Sequence, residues 1–278
     1  MDHLKETESA GLYIRHAIDE APKGTGSDFH IHDRCEVFYF ISGNAQYLVE
    51  GSVYPLSKGS LLIMRPGEAH CIRSLSAERC ERYAVNFPIS LFDSFDPERR
   101  LMRTLTDRPL GRDNLYFLPG LEDTFREMCY YEGDDYGRTL MMTTKLAIIL
   151  EMTGDKESGK ICAEPALPEK IVRYVNDMLY EEITVGQLAE HFFLSTSQFS
   201  RIFRQATGAT PRAYITAKRL IKARELLRNG ASAKKAAENS GFADYSVFYK
   251  AYVKRYGENP SAAGNHGAAD APQRLASR

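Results

Sequence analysis

Hydrophobic and polar positions change their rhythm along this chain. Over the first ~90 residues, β-branched and aromatic runs are short and punctuated by Gly, Pro and Ser. The clearest are Cys35–Ile41, Ala45–Val49, Ser60–Met64 and Arg82–Phe87. Strands this short and evenly spaced predict an antiparallel sandwich or barrel. Helical patterns near 121–131 and 138–152 follow, the second with Leu140, Met141, Thr144, Ile148 and Met152 in an approximate i, i+4 row. A polar stretch with Gly and Pro then reads as a linker over 156–167. From Pro168 to Tyr256 the period is helical throughout. The small, polar residues 263–278 predict a disordered tail.

The helical half contains one arrangement twice. Val185–His191 is a short helix, Phe193-Leu194 a turn, and Ser195 an N-cap for a second helix over Thr196–Arg204. Phe199, Ile202 and Phe203 fall at i, i+3 and i+4, so one stripe faces a core. In the second copy Ala233–Asn239 precedes the turn Ser240-Gly241-Phe242, the cap Asp244 and a helix over Tyr245–Tyr252. Its inward stripe is Phe248, Ala251 and Tyr252. Between the copies, Pro211–Arg228 predicts a helix roughly 27 Å long. That length can hold two reading helices near the ~34 Å spacing of successive major grooves.

Charge sharpens this division. The 278 residues carry 36 Lys and Arg against 37 Asp and Glu, a net of -1. Residues 168–260 hold 15 basic and 9 acidic residues, net +6, whereas residues 1–167 hold 19 and 27, net -8. The near-neutral total therefore hides a basic helical module that suits an anionic partner. The polar, acidic N-terminus predicts no signal peptide, and no apolar run nears the roughly 20 residues of a membrane helix. Five scattered cysteines without a CxxC predict reduced thiols, with Cys71 and Cys80 the one nearby pair for a redox role. The expected location is the cytoplasm.

Two sets of side chains carry candidate chemistry. On the helical module, Thr196, Ser197, Ser200, Arg201 and Arg204 lie off the first apolar stripe, and Tyr245, Ser246, Tyr249 and Lys250 off the second. These groups hydrogen-bond base edges and phosphates. In the β half, His30, His32, Glu36, Phe38 and Phe40 share parity and would point one way, while the Pro66-Gly67 turn would bring His70 to the same place. Three imidazoles and a carboxylate could hold a divalent metal such as Zn, Fe, Mn or Ni. Alternatively, they hydrogen-bond one another or an organic ligand without metal.

The helical residues resemble the DNA-binding domain of the AraC/XylS transcription regulators. The likeness runs over about 168–261 through Ile183-Thr-Val-Gly-Gln-Leu-Ala, Phe199-Ser-Arg-Ile-Phe-Arg, Thr207-Gly208, Pro211, Arg219-Leu220, Gly241-Phe242-Ala-Asp244, Gly257 and Pro260. By this resemblance Ser197, Ser200 and Arg201 face bases from the first unit, and Tyr245, Ser246, Tyr249 and Lys250 from the second. Thr196 and Arg204 sit near phosphates. Three departures weaken the second unit: Ala236 or Ala237 where Ile is usual, Tyr252-Val253 for Phe-Lys, and Ala263-Gly264 for an aromatic-Arg pair.

The β half resembles the cupin motifs, with Gly24, His30, His32, Glu36 and Gly43 in the first and Gly59, Pro66-Gly67 and His70 in the second. That likeness implies a small antiparallel barrel over roughly 10–90. The combined expectation is an α+β two-domain chain. A cupin-like antiparallel β-barrel with following helices fills 1–155, and an all-α double helix-turn-helix domain fills 168–262. The implied function is ligand-responsive transcriptional regulation, not catalysis. The expected partners are an operator in double-stranded DNA, a sugar-like effector, RNA polymerase and a second copy of the chain. Arg15, His30, His32, Glu36, Phe38 and His70 are the expected effector residues, with Arg15 on an arm over the pocket. No cofactor is required. His30, His32, Glu36 and His70 are the candidate metal ligands, and the alternative function is a metal-dependent cupin enzyme or metal sensor joined to a DNA-binding module.

Overall fold

The computed structural model describes residues 3–21, 29–154 and 166–263. Within these the chain forms two compact units, the first holding the described residues up to 154 except 29–32, and the second holding residues 29–32 and 166–263. The predicted linker lies almost wholly outside the described residues, as does the tail apart from Ala263. That residue is buried in the helical core.

Nine strands build the first unit: β1 (His3–Ser9), β2 (Leu12–Asp19), β3 (Cys35–Ser42), β4 (Ala45–Val49), β5 (Ser52–Pro55), β6 (Ser60–Met64), β7 (His70–Ser74), β8 (Cys80–Phe87) and β9 (Leu115–Phe117). They pair antiparallel into a six-stranded sheet, order β1-β2-β8-β3-β6-β9, and a three-stranded sheet, order β5-β4-β7. The expected single barrel is therefore two sheets, with no ladder closing one onto the other among the described residues. The arm expected around Arg15 is also corrected. Tyr13-Ile-Arg-His lies inside β2, hydrogen-bonded between β1 and β8.

Cross-strand register assigns each face of the large sheet. One row runs Ile14, Val85, Val37, Ile63, and its neighbour His16, Tyr83, Tyr39, Leu61. This face packs under α2 (Glu122–Tyr130) and α3 (Asp135–Gly154) through Phe125, Met128, Met142, Leu146 and Ile149. The opposite face carries Tyr13, Asn86, Glu36, Met64 in one row and Arg15, Ala84, Phe38, Leu62 in the next. It meets the small sheet, where Phe38, Phe40, Leu62 and Met64 pack on Tyr47, Val49 and Tyr54. Period-2 alternation thus separates a helix-covered apolar face from a face between sheets that holds charge. A short helix, α1 (Arg103–Thr106), lies between β8 and β9 in the chain.

Helix α3 presents two faces. Met142, Leu146, Ile149 and Leu150 point inward, while Tyr136, Leu140, Thr144, Ile148 and Met152 are exposed at a constant spacing of four. The row read from the sequence as Leu140, Thr144, Ile148 and Met152 is therefore the outer face.

The second unit is all helical: α4 (Leu167–Asp177), α5 (Val185–His191), α6 (Thr196–Thr207), α7 (Pro211–Arg228), α8 (Ala233–Asn239) and α9 (Tyr245–Tyr256). Local chemistry explains the boundaries. Thr184 and Ser195 each form a reciprocal capping box, with Gln187 and Gln198. Thr210, Ser232 and Asp244 each accept a backbone N–H at the start of the next helix. Phe199 and Phe203 of α6, and Phe248 and Tyr252 of α9, are fully buried. The two helix-turn-helix turns differ. Gly241 supplies the left-handed residue in the second, φ 84°, where a Cβ would meet the Tyr180 backbone at 2.9 Å. In the first, Phe193 adopts φ 55° with its ring 98% exposed, a conformation that disfavours a bulky side chain.

Candidate nucleic-acid interface and effector pocket

The reading helices expose what the sequence analysis assigned to them. On α6, Thr196, Ser197, Arg201 and Arg204 are exposed and Ser200 is half-buried. On α9, Tyr245, Ser246, Tyr249 and Lys250 are exposed. Tyr249 is not wholly available, because its hydroxyl donates to Asn259 Oδ1 at 2.6 Å. Val247, which sequence reasoning passed over, is exposed beside Ser246. An outward apolar residue in the first turn of a reading helix suits the methyl group of thymine. Its signal was available, since Val247 breaks the inward stripe set by Phe248 and Tyr252.

The charged face between the sheets gathers the second site. Glu36 of β3 accepts from Asn86 Nδ2 at 2.7 Å and from the Tyr47 hydroxyl at 3.1 Å. His70, at the start of β7, places Nε2 at 3.4 Å from the same carboxylate. Its Nδ1 lies 2.8 Å from the Glu68 carbonyl. A carbonyl only accepts, so the ring donates there and turns its other nitrogen toward Glu36. Burial disfavours the imidazolium, yet the charge and hydrogen bond of Glu36 and the Glu68 contacts outweigh it and hold the His70 pKa above its ordinary value. The Tyr47 hydroxyl is pushed well up, by burial first and then by the Glu36 charge. Phe38 and Tyr47 have ring centroids 4.5 Å apart, and Tyr47 stacks toward His70 at 6.0 Å.

Arg15 occupies the next row of that face, beside the small Ala84, and its buried Nε finds no hydrogen-bond partner. Arg15, Glu36, Phe38 and His70 are thus brought to one region. The histidines of the first cupin-like motif are placed less regularly. Neither His30 nor His32 belongs to β3, so the parity expected across His30, His32 and Glu36 is broken before the strand. Of the four candidate metal ligands, Glu36 and His70 come together within the sheet unit. Cys71 and Cys80 are buried and form no disulfide among the described residues, as is the case for Cys35 and Cys129.

Sequence reasoning missed the group that sets His70 in place. Glu68, directly after the Pro66-Gly67 turn, is completely buried and forms a two-pronged ion pair with Arg108, at 2.7 and 2.5 Å. Arg108 spends its remaining donors on the carbonyls of Thr104, Arg112 and Ile63. Gly111 N–H, Asn114 Nδ2 and the Arg65 backbone N–H also donate to the carboxylate, and the Arg65 guanidinium lies 3.7 Å from it. Burial pushes Glu68 up, but Arg108, Gly111 and Arg65 together hold its carboxyl below the ordinary range.

A helix-turn-helix unit in duplicate on a basic helical module, joined to a sheet unit with a buried polar cluster, has the make-up of a ligand-binding transcription regulator. Two family models match the chain. An AraC-like ligand-binding domain matches residues 17–146, and a helix-turn-helix domain matches 188–265. The chain belongs to the AraC family of DNA-binding transcriptional regulators. Among curated relatives, the thermoregulatory protein LcrF of Yersinia pestis is 25% identical over 250 residues, covering 84% of this chain and 89% of that one. The transcriptional activator RhaS of Escherichia coli is 24% identical over 272 residues, covering 90% and 96%. The crystal structure of unsaturated fatty acid-bound ToxT from Vibrio cholerae aligns over 92% of this chain and 95% of its own, at 14% identity and a TM-score of 0.40. No described helix is long and apolar enough to cross a membrane.

Proposed function

We infer that the sheet unit binds a small polyhydroxylated molecule and that its occupancy sets how a dimer of this chain engages DNA. The observation that carries the reading is the shared face of Arg15, Glu36, Asn86 and Phe38 opposite His70. Carboxylate, amide and guanidinium groups suit hydroxyls, and the Phe38 and Tyr47 rings suit the apolar face of a sugar. A thermal-shift screen of sugars and sugar acids tests it. A ligand present at 100 times its Kd stabilises by about 2.7 kcal/mol and raises Tm measurably. Glu36→Gln is expected to abolish the shift while DNA binding by the helical unit persists. A panel without a hit, or a hit indifferent to Glu36→Gln, rejects the pocket. A shift produced by a divalent metal alone would make it a metal sensor instead.

The outer face of α3 supports self-association. Tyr136, Leu140, Ile148 and Met152 form an exposed apolar row on a helix of 20 residues, the kind of ridge that packs against a copy of itself. Charge in that row is the direct probe. Ile148→Glu is expected to halve the mass measured by light scattering without lowering Tm. An unchanged mass, or a wild type that is already monomeric, removes α3 from the interface.

A further inference from the structure

A cleft of about 640 Å³ opens on the helical unit between α5, α6 and α7. Its lining includes Thr196 and Ser200 of α6, Arg212, Thr216 and Arg219 of α7, and Gly186 of α5. No carboxylate lines it. Arg219 is committed to the unit itself, donating from Nε to the Leu179 carbonyl at 2.6 Å and from Nη2 to the Glu181 carbonyl at 2.7 Å. Arg212 is exposed, without an ion pair among the described residues, and is left as the cation that can meet a ligand.

Helical geometry divides α6 along the same line. Thr196 and Ser200 stand at i and i+4 and turn toward the cleft. Ser197, Arg201 and Arg204 stand at i, i+4 and i+7 on a face about 100° further round, and none of the three lines the cleft.

We propose that this cleft receives a backbone phosphate of DNA, with Arg212 as its charged contact and Thr196, Ser200 and Thr216 as hydroxyl donors. Base reading from the first unit then falls to Ser197, Arg201 and Arg204. Ser200 moves from the expected base readers to the backbone contacts, and Arg204 moves the other way. The proposal rests on the family's DNA-binding reading and specifies which surface holds the sugar-phosphate chain. A cleft with one uncommitted guanidinium, several hydroxyls and no acid is matched to a phosphodiester, and it adjoins the helix that must be held in register for reading.

Fluorescence anisotropy of a labelled duplex of mixed sequence, roughly 30 base pairs, gives the test across salt. Losing one phosphate contact lowers the steepness of log K against log salt by about 0.9. The wild-type advantage over Arg212→Ala should therefore narrow by about 3.5-fold between 50 and 200 mM salt. A second variant does not depend on removing a side chain. A Cβ on Gly186 would find only Thr184 Oγ1, at 3.7 Å, so Gly186→Glu fits and places a negative charge in the first helical turn, where the helix tolerates it. Gly186→Glu is expected to weaken binding to the mixed duplex, with Gly186→Ala indistinguishable from wild type. Wild-type affinity and salt dependence in both Arg212→Ala and Gly186→Glu would overturn the assignment. So would a loss by Arg212→Ala confined to a selected site, which would make Arg212 a base reader. A wild type that binds no duplex would reject the DNA reading, and this assignment with it.

Discussion

Arg108→Ala is expected to destabilise the sheet unit by about 3–5 kcal/mol, the range for breaking one half of a buried ion pair. The substitution removes the partner of Glu68 but leaves its carboxylate enclosed. It also removes the guanidinium donor from the carbonyls of Thr104 and Arg112 and leaves Ile63 O with Asn114 Nδ2 as its side-chain donor. Glu68→Ala with Arg108→Ala should cost less than the sum of the two single changes, because the second removes a charge already unpaired. Chemical denaturation followed by tryptophan-free signals, far-UV circular dichroism or tyrosine fluorescence, measures this in a chain with 16 Tyr and no Trp. A loss below about 1 kcal/mol would show that water replaces the guanidinium and that the pair is not structurally enclosed.

The same pair has a pH signature whose sign follows from its shift. The folded Glu68 pKa lies below its ordinary value. Its stabilisation is therefore complete above the ordinary carboxylate range and is lost as pH falls through the depressed folded value. In Arg108→Ala, burial is no longer opposed by that charge, and the Glu68 pKa rises. Protonation then relieves the variant at a higher pH than it weakens the wild type. The stability gap should be widest near neutrality and close from both sides on acidification. The effect reaches the pocket, because the Glu68 carbonyl accepts from His70 Nδ1 and the same turn delivers His70 to Glu36. Arg108 is thus a positioning residue for a site it does not touch.

The helical unit was legible almost to the residue, and the sheet unit was not, for physical reasons. Helix boundaries are set locally. Thr184, Ser195, Thr210, Ser232 and Asp244 announce their helices because a cap needs only its own next turn. Strands depend on distant partners. His3–Ser9 is too polar to declare itself, yet it pairs along its whole length with Leu12–Ile18. Arg15 read as part of an arm over the pocket because it stands in the N-terminal stretch, where some relatives carry one. Only the register with Ala84 and Phe38 shows that it faces the second sheet. The Pro66-Gly67 turn and His70 were visible as a motif, whereas Glu68 between them became informative only once Arg108, 40 residues away, closed on it.

Arg201→Ala should reduce affinity for a specific site by about 1–3 kcal/mol while leaving binding to mixed sequence nearly unchanged, the mark of lost base contact. The operator is obtained first, by selection from a random duplex pool, and both affinities are then measured at stated salt. The counterpart on the second unit, Lys250→Ala, should cost less. There the neighbouring Tyr249 hydroxyl is spent on Asn259, and a lysine lacks the two-pronged geometry with which an arginine meets guanine. The fully buried Ala236 and nearly buried Ala237 give α8 a slim seat for α9, in keeping with a second unit that positions more than it reads. Together with Arg212→Ala, which should weaken all sequences alike, Arg201→Ala separates reading from holding on either side of a single helix. If Arg201→Ala instead lowers specific and mixed-sequence affinity equally, Arg201 contacts phosphate, and base recognition from α6 must rest on Ser197 and Arg204.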